Sequence, residues 1–130
     1  ILDGAHNPGA VEVFVESVNA QQENNFEKII LFSAVKEKEY ETMIRMLCET
    51  IDAKEYILTQ IENERGVSTE ELAGVFRKYT DKKIIEEENL EKAFCMALKE
   101  KGENDRVYCL GSLYLVGMLK ELIVGGKKHA

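Results

Sequence analysis

The sequence predicts an α/β fold: an open, mostly parallel, Rossmann-like sheet with helices on both faces. Apolar runs of strand length alternate with amphipathic stretches of helix length about five times along the chain. The run Ile29–Phe32 is apolar at every position, a pattern typical of a strand that is covered on both sides. Parallel strands require crossover connections, so helices are expected to pack on both faces.

The opening segment, Ile1–Gly9, is predicted to form the end of a strand, a tight turn and the start of a helix. Asn7 is a preferred helix N-cap, and Pro8 suits the first turn because its missing N–H is not needed there. The helix should run from Pro8 to about Gln21. Its apolar stripe follows helical spacing and consists of Val11, Phe14, Val15 and Val18.

The middle of the chain predicts two further helices, separated by a strand. A charged loop, Ser33–Glu39, leads into a helix, and Tyr56–Thr59 is the next strand. After the polar loop Gln60–Val67, Ser68 and Glu71 have the spacing of a capping box at a helix start. The apolar faces of the two helices are Tyr40, Met43, Ile44, Leu47 and Ile51, and Leu72, Val75, Phe76 and Tyr79.

The last part of the chain repeats the alternation. Lys83–Glu86 is a short, weak strand, which indicates a sheet edge, and Asn89 caps a helix that ends at Gly102. Val107–Leu110 is the last clear strand, after which Gly111–Ser112 turns the chain into a final helix. The inward residues of the two helices are Phe94, Ala97 and Leu98, and Leu115, Val116, Leu119, Leu122 and Ile123.

Composition and charge limit the classes of function. The length of 130 residues, 45% of them hydrophobic, is that of a single domain spanning 1–130. No apolar run approaches the roughly 20 residues of a membrane span. The net charge of −7 disfavours nucleic acid and anionic membranes as partners. Cys48, Cys95 and Cys109 are odd in number and widely spaced, so we expect buried thiols in a reducing cytoplasm rather than disulfides or a metal site.

The opening turn also carries chemistry. In parallel α/β sheets, ligands bind beyond the carboxyl ends of the strands, where loops lead into helix N-termini. The turn places the carboxylate of Asp3 and the imidazole of His6 before such a helix start, whose backbone donors and dipole favour anions. The dipole also disfavours a charged imidazole, so His6 is expected to act as a neutral hydrogen-bonding group.

The segment Asp3–Pro8 resembles the Asp-Gly-Ala-His-Asn-Pro signature of folylpolyglutamate synthases, the folate branch of the ATP-dependent amino-acid ligases related to the Mur ligases. Two later segments, Lys36–Glu39 and Gly111–Leu115, agree with family segments in order and spacing. The resemblance implies the Mur ligase C-terminal domain type of fold. It also implies a ligase that adds glutamate to folate through an acyl phosphate. Whether dihydrofolate synthase activity is also present is left open.

The resemblance assigns six residues to the site, and each has a simpler alternative; His6 could be a solvated loop residue, and Tyr114 could simply pack. Asp3 and Asn7 would contact ATP. The alternative for Asp3 is that its carboxylate accepts backbone hydrogen bonds in the turn, as is common for Asp before Gly. Asn7 would also cap the helix. Lys38 and Ser112 would hold glutamate, although a charged loop is often only solvated and Ser112 is a plain N-cap candidate. For Arg65, the sequence suggests a role in loop structure or at the edge of the nucleotide site. The assignments are His6 as catalytic, Asp3 and Asn7 as ATP-binding, and Lys38, Ser112 and Tyr114 as glutamate-binding.

The resemblance also implies partners. The substrates would be ATP, L-glutamate and folate. Mg²⁺ would be held mainly by an N-terminal ATPase domain that is missing here, since no phosphate-binding Gly-rich loop occurs in the chain. We expect a cytoplasmic, monomeric protein that is inactive as this fragment. Two other classes are considered: a stand-alone nucleotide-binding or regulatory module without catalysis, and a small hydrolase using Asp3 and His6, which lacks an evident nucleophile beside a base.

Overall fold

The computed structural model describes residues 27–36, 39–61, 65–101 and 105–110, together with Gly9, Glu12, Val13 and Glu16. Strands and helices alternate strictly within these residues. The strands are β1 (Lys28–Phe32), β2 (Glu55–Leu58), β3 (Lys83–Glu86) and β4 (Arg106–Leu110), and the helices are α1 (Tyr40–Thr50), α2 (Thr69–Tyr79) and α3 (Leu90–Glu100).

The four described strands form one parallel sheet in the order β3-β2-β1-β4. Phe32 at the end of β1 is in register with Leu58 of β2 and with Leu110 of β4, and Leu58 is in register with Glu86 of β3. The carboxyl ends of all four strands therefore lie along one edge. Strands β2 and β3 lie on one side of β1, and β4 lies on the other side. Because crossovers between parallel strands are right-handed, this order places the crossover helices on both faces of the sheet, as predicted.

The face covered by α1 and α2 carries the larger described core. The ring of Phe76 in α2 packs edge-on against that of Phe32, with the ring centroids 5.5 Å apart. Its centroid lies 4.7 Å from that of the Tyr56 ring. The predicted inward residues Met43, Ile44 and Leu47 are completely buried. The core consists of Ile30, Phe32, Ala34, Met43, Ile44, Leu47, Ile51, Ala53, Tyr56, Leu58, Val67, Leu72, Ala73, Phe76, Tyr108 and Leu110.

The face covered by α3 corrects one detail of the sequence prediction. Leu98 was expected to face inward, but its side chain is 52% exposed. The helix instead packs against the sheet through Leu90, Ala93 and Ala97. The two alanines have small side chains, which allow the helix to approach the sheet closely. The buried residues on this face are Ile29, Leu31, Ile57, Leu90, Ala93, Ala97, Val107 and Cys109.

The predicted helix starts at Ser68 and Asn89 and the weak edge strand are confirmed. The Ser68 hydroxyl accepts a hydrogen bond from the backbone N–H of Glu71 at 3.1 Å, and the Asn89 side chain accepts one from Lys92 at 2.9 Å. The carboxylate of Glu71 accepts instead from the hydroxyl of Tyr40 at 3.3 Å, which links α2 to α1. Strand β3 lies at one edge of the described sheet and is only partly buried.

The cysteines are free thiols, but they are not all buried as expected. Cys109 is buried, Cys48 is partly buried, and Cys95 on α3 is exposed. Burial raises the pKa of the Cys48 thiol to about 11 and that of Cys109 to about 12. Burial also raises the pKa of Tyr56, whose hydroxyl is hydrogen-bonded to Cys48. These groups therefore stay protonated at neutral pH.

Part of the predicted first helix is described. Gly9, Glu12, Val13 and Glu16 are helical and exposed, which agrees with a helix whose apolar stripe consists of other residues. That stripe, the opening strand and the predicted final helix lie outside the described residues. In the part of the chain that the structure describes, no helix has both the length and the apolar character required to cross a lipid bilayer.

Candidate functional site

The candidate site is the edge formed by the carboxyl ends of the strands. Main-chain pairing continues one residue past the strands. The N–H of Thr59 donates to the carbonyl of Phe32 at 3.0 Å, and that of Glu87 donates to Leu58 at 2.9 Å. The N–H of Ser33 donates to the carbonyl of Leu110 at 3.3 Å. The loops that follow the strands therefore leave the sheet from fixed, adjacent points.

The loops that follow β1 and β2 are joined to each other through their main chains. Val35 and Gly66 form an antiparallel bridge. On either side of it, the N–H of Lys36 donates to the carbonyl of Arg65 at 2.7 Å, and the N–H of Val67 donates to Ala34 at 2.9 Å. The loop that leads towards Lys38 is thus held against the loop that contains Arg65.

Gly66 is required at this bridge for steric reasons. A Cβ atom added at Gly66 would lie 2.5 Å from the carbonyl oxygen of Ile61, a main-chain atom of the same loop. Ile61 is itself buried, with 4% of its surface exposed, so it has little freedom to move away. The close approach of Gly66 to Ile61 within this loop depends on a residue without a side chain.

Two buried hydroxyls lie side by side just past the strands. Ser33 and Thr59 follow the paired residues Phe32 and Leu58, and both are fully buried. The Thr59 hydroxyl donates to the carbonyl of Glu88 at 3.2 Å. The Oγ of Ser33 has no hydrogen-bond partner among the described residues. Buried hydroxyls normally have a partner, so Ser33 is an unusual residue at this edge.

Three described helices begin at this edge. Those that start after Ser68 and Asn89 are capped by the side chains of these residues. The helix after Glu39 has no side-chain capping hydrogen bond within the described part of the chain. Helix N-termini carry free backbone donors and partial positive charge, so this edge is electrostatically suited to anionic ligands despite the acidic composition.

The six predicted site residues, Asp3, His6, Asn7, Lys38, Ser112 and Tyr114, lie outside the described residues. The structure does describe the strands that precede two of them. Lys38 follows β1 and Ser112 follows β4, and the last residues of these strands, Phe32 and Leu110, are paired. Two segments that are more than 70 residues apart in sequence therefore start from neighbouring points on one edge.

Two other residues considered from the sequence are described. Lys36, in the charged loop that follows β1, is exposed to solvent. Arg65 contributes its main-chain carbonyl to the loop pairing, which supports the structural role considered for it. Sequence reasoning did not single out Ser33, although a hydroxyl immediately after an entirely apolar strand was a detectable signal.

Within residues 27–36, 39–61, 65–101 and 105–110, no group of three or more His, Cys, Asp or Glu side chains is arranged to hold a metal ion.

Comparison with known families and structures gives consistent matches. The family model described as the Mur ligase, glutamate ligase domain matches residues 1–113. No significant match is found among curated protein sequences.

Solved structures with the same fold are similar over nearly the whole chain. Escherichia coli FolC in complex with DHPP and ADP is 21% identical, with a TM-score of 0.85 over 96% of this chain. Mycobacterium tuberculosis folylpolyglutamate synthase, complexed with ADP and AMPPCP, is 19% identical, with a TM-score of 0.78 over 92%. A bifunctional folylpolyglutamate synthase/dihydrofolate synthase with Mn, AMPPNP and L-glutamate bound is 23% identical, with a TM-score of 0.75 over 94%. The matched region is 28% of each of these proteins.

Proposed function

Because the chain belongs to the Mur ligase family, as its glutamate ligase domain, we propose that it is the carboxy-terminal domain of a folylpolyglutamate synthase. The complete enzyme would use ATP to add L-glutamate to a folate. Three observations support this choice within the family. They are the Asp3–Pro8 segment, the two later segments that resemble folylpolyglutamate synthases, and the fold shared with FolC.

The proposed reaction has two steps. A folate carboxylate attacks the terminal phosphate of ATP, which gives an acyl phosphate and ADP. The amino nitrogen of glutamate then attacks the acyl carbon, phosphate leaves, and the nitrogen loses a proton as the amide forms. Both steps gather negative charge, so backbone donors and cations are more useful than a protein nucleophile. The helix starts at the carboxyl edge are of this kind.

The proposed roles follow the sequence analysis. Asp3 and Asn7 would contact ATP, and His6 would hydrogen-bond near the transferred phosphate. Lys38 and Ser112 would hold the carboxylates of glutamate, with Tyr114 lining the same pocket. The single observation that carries this grouping is the pairing of Phe32 with Leu110, because it starts the Lys38 and Ser112 segments from adjacent strands.

The remainder of the site would come from an amino-terminal ATPase domain. The matched region is 28% of FolC, which leaves room for such a domain. It would provide the phosphate-binding loop and most Mg²⁺ ligands, and Mg²⁺ would neutralise phosphate charge during transfer. We propose a monomeric, cytoplasmic enzyme that is inactive when reduced to this chain.

The test is phosphate release by the complete protein supplied with MgATP, a reduced folate and L-glutamate. We expect release that requires both the folate and glutamate, and none from the isolated 130-residue chain. Ser112→Ala should raise the KM for glutamate more than that for ATP, and Asp3→Ala should do the reverse. Equal effects of the two substitutions on both substrates would refute the assigned roles. A complete protein that binds nucleotide without glutamate-dependent turnover would instead indicate a regulatory module.

A further inference from the structure

The outer face of α3, on the side away from the sheet, is exposed to solvent and is not purely polar. It consists of Glu91, Lys92, Cys95, Leu98 and Lys99. At 3.6 residues per turn, Cys95 lies opposite the buried residues Leu90, Ala93 and Ala97, and it is also the middle residue of the eleven in this helix. Leu98 is one of two large apolar side chains that are mostly exposed among the described residues.

Two charges on this outer face are placed symmetrically about Cys95. Glu91 precedes Cys95 by four residues, Lys99 follows it by four, and both are exposed. In α1, the exposed charges of Arg45 and Glu49 lie 4.0 Å apart and form an ion pair. By contrast, neither Glu91 nor Lys99 forms an ion pair within the part of the chain that the structure describes. Both charges are therefore available to a partner.

This spacing makes the outer face complementary to a second copy of itself. A twofold axis through Cys95, perpendicular to the helix, would pack two α3 helices antiparallel, so that residues equally far before and after Cys95 meet. Glu91 of each copy would then face Lys99 of the other, which gives two attractive charge pairs. A parallel arrangement would instead bring like charges together. The charges therefore select the antiparallel pair.

A groove beside Cys95 offers room for an apolar side chain. It has a volume of about 570 Å³, and Glu91, Lys92 and Cys95 are among the residues that line it. The same twofold axis would bring Leu98 of one copy to the position of Lys92 in the other, and hence to this groove. Removal of the half-exposed Leu98 side chain from water would favour association.

We propose that the outer face of α3 docks on the same face of a second copy of the protein, as a twofold-symmetric, antiparallel pair of helices. An eleven-residue helix is about 16 Å long and covers less than the roughly 800 Å² per partner of a standard interface. The dimer is therefore weak, with a dissociation constant on the order of 0.1 mM. Dilute protein is monomeric, in agreement with the state proposed for the enzyme.

The test is the association of the complete protein, measured by sedimentation velocity between about 5 µM and about 0.5 mM. We expect mainly monomer at the low end and mainly dimer at the high end. Glu91→Lys or Lys99→Glu alone would place like charges opposite each other and should raise the dissociation constant about tenfold. The double variant Glu91→Lys/Lys99→Glu restores opposite charges and should return within about threefold of wild type.

Lys78→Glu is the matched control, because it changes the net charge as Lys99→Glu does but lies on α2. It should leave the dissociation constant within about twofold of wild type. In a second measurement, a short bismaleimide, which adds one thiol at each end, should link two copies through the exposed Cys95. Cys95→Ser should abolish this link.

Two results would overturn the proposal. One is a wild-type protein that stays monomeric up to about 0.5 mM, as it would if another domain of the complete protein covered this face. The other is a dimer whose stability does not respond to the charge reversals at Glu91 and Lys99. Neither result bears on glutamate-dependent turnover, so the proposed function and the proposed dimer stand or fall separately.

Discussion

The two edges of the sheet are reinforced in different ways. At the amino edge, the side chains form ion pairs between neighbouring segments, namely Lys54–Asp105 at 3.3 Å, Lys82–Asp52 at 3.0 Å and Lys83–Glu55 at 3.8 Å. At the carboxyl edge, main-chain hydrogen bonds join the loops, such as Lys36 to Arg65. These main-chain bonds need no particular side chain, except that position 66 must be glycine. The two edges therefore differ in their side chains: ion pairs join neighbouring segments at the amino edge, in addition to main-chain bonds such as that from the Lys54 N–H to the Lys28 carbonyl, whereas the loops at the carboxyl edge are joined mainly through their main chains.

The largest expected effect tests the carboxyl edge through its main chain. Gly66→Ala would place a Cβ 2.5 Å from the Ile61 carbonyl oxygen, so the main chain at Ile61 or at Gly66, which is bridged to Val35, must shift. We expect a loss of about 2–3 kcal/mol of unfolding free energy, typical of overpacking at a rigid position. Urea denaturation followed by circular dichroism would measure it. A loss below about 0.5 kcal/mol would show that the edge does not depend on this close approach.

Gly74→Ala is the matched control. Gly74 lies on the exposed face of α2, and an added Cβ would meet no other atom within 4 Å. Alanine favours a helix more than glycine does, so we expect a gain of about 0.5–1 kcal/mol in the same assay. Opposite signs for the two substitutions would separate the steric requirement at the carboxyl edge from a general intolerance of glycine replacement.

An intermediate effect is expected at alkaline pH, because the amino edge contains titratable pairs. Hydrogen bonds to Asp105 and Asp52 raise the pKa of Lys54 and of Lys82 above 10.5. Each pair stabilises the fold fully below that pH, and its contribution is lost as the pH rises through the folded-state pKa. Burial raises the pKa of the Cys48 thiol from 9.0 to about 11, which acts in the same direction.

The free energy of unfolding should therefore decline above about pH 9. Urea titrations at stepped pH would measure the decline. The double variant Lys54→Met/Lys82→Met should be less stable than wild type near neutral pH and should lose less stability above pH 10.5. An alkaline decline of the same size in both proteins would mean that the amino-edge lysines do not contribute, and that the buried thiols and tyrosines cause it.

The smallest expected effect concerns one ion pair at the amino edge. Lys83→Met removes a partner of Glu55, whose side chain is 1% exposed, while Lys83 is 60% exposed. Because Lys83 is largely solvated, we expect a cost of only about 0.5–1 kcal/mol, reduced in about 1 M NaCl by screening. Lys78→Met, which breaks an exposed pair with Glu41, is the control and should cost less. An equal cost for both variants would show that burial of Glu55 adds nothing.

Most of the fold was predictable because its signals are local. The apolar run of β1, the cap at Ser68 and the cap at Asn89 lie within a few residues of the elements they define. The inward face of α3 was less predictable. Alanine is small and weakly hydrophobic, so Leu98 suggested a stripe that the packing of Ala93 and Ala97 does not follow.

The location of the loops around the candidate site was predictable, but the contacts between them were not. The alternation of strands and helices places the Ser33–Glu39 and Gln60–Ser68 loops at the carboxyl edge, as observed. The bridge between Val35 and Gly66 joins residues from different loops and leaves no periodic pattern in the sequence. The burial of Ser33 likewise depends on neighbours that are distant in sequence. The roles of the six motif residues stay predictions.

The bridge between Val35 and Gly66 has a consequence for protein engineering. Chimeras are usually made by transplanting one recognition segment at a time. Here the loops that follow β1 and β2 are joined by main-chain hydrogen bonds, so a graft of either loop alone would not fit against the other. Recombination between homologous proteins should succeed when both loops come from the same parent. Any specificity that depends on these loops should then be transferred with both of them together.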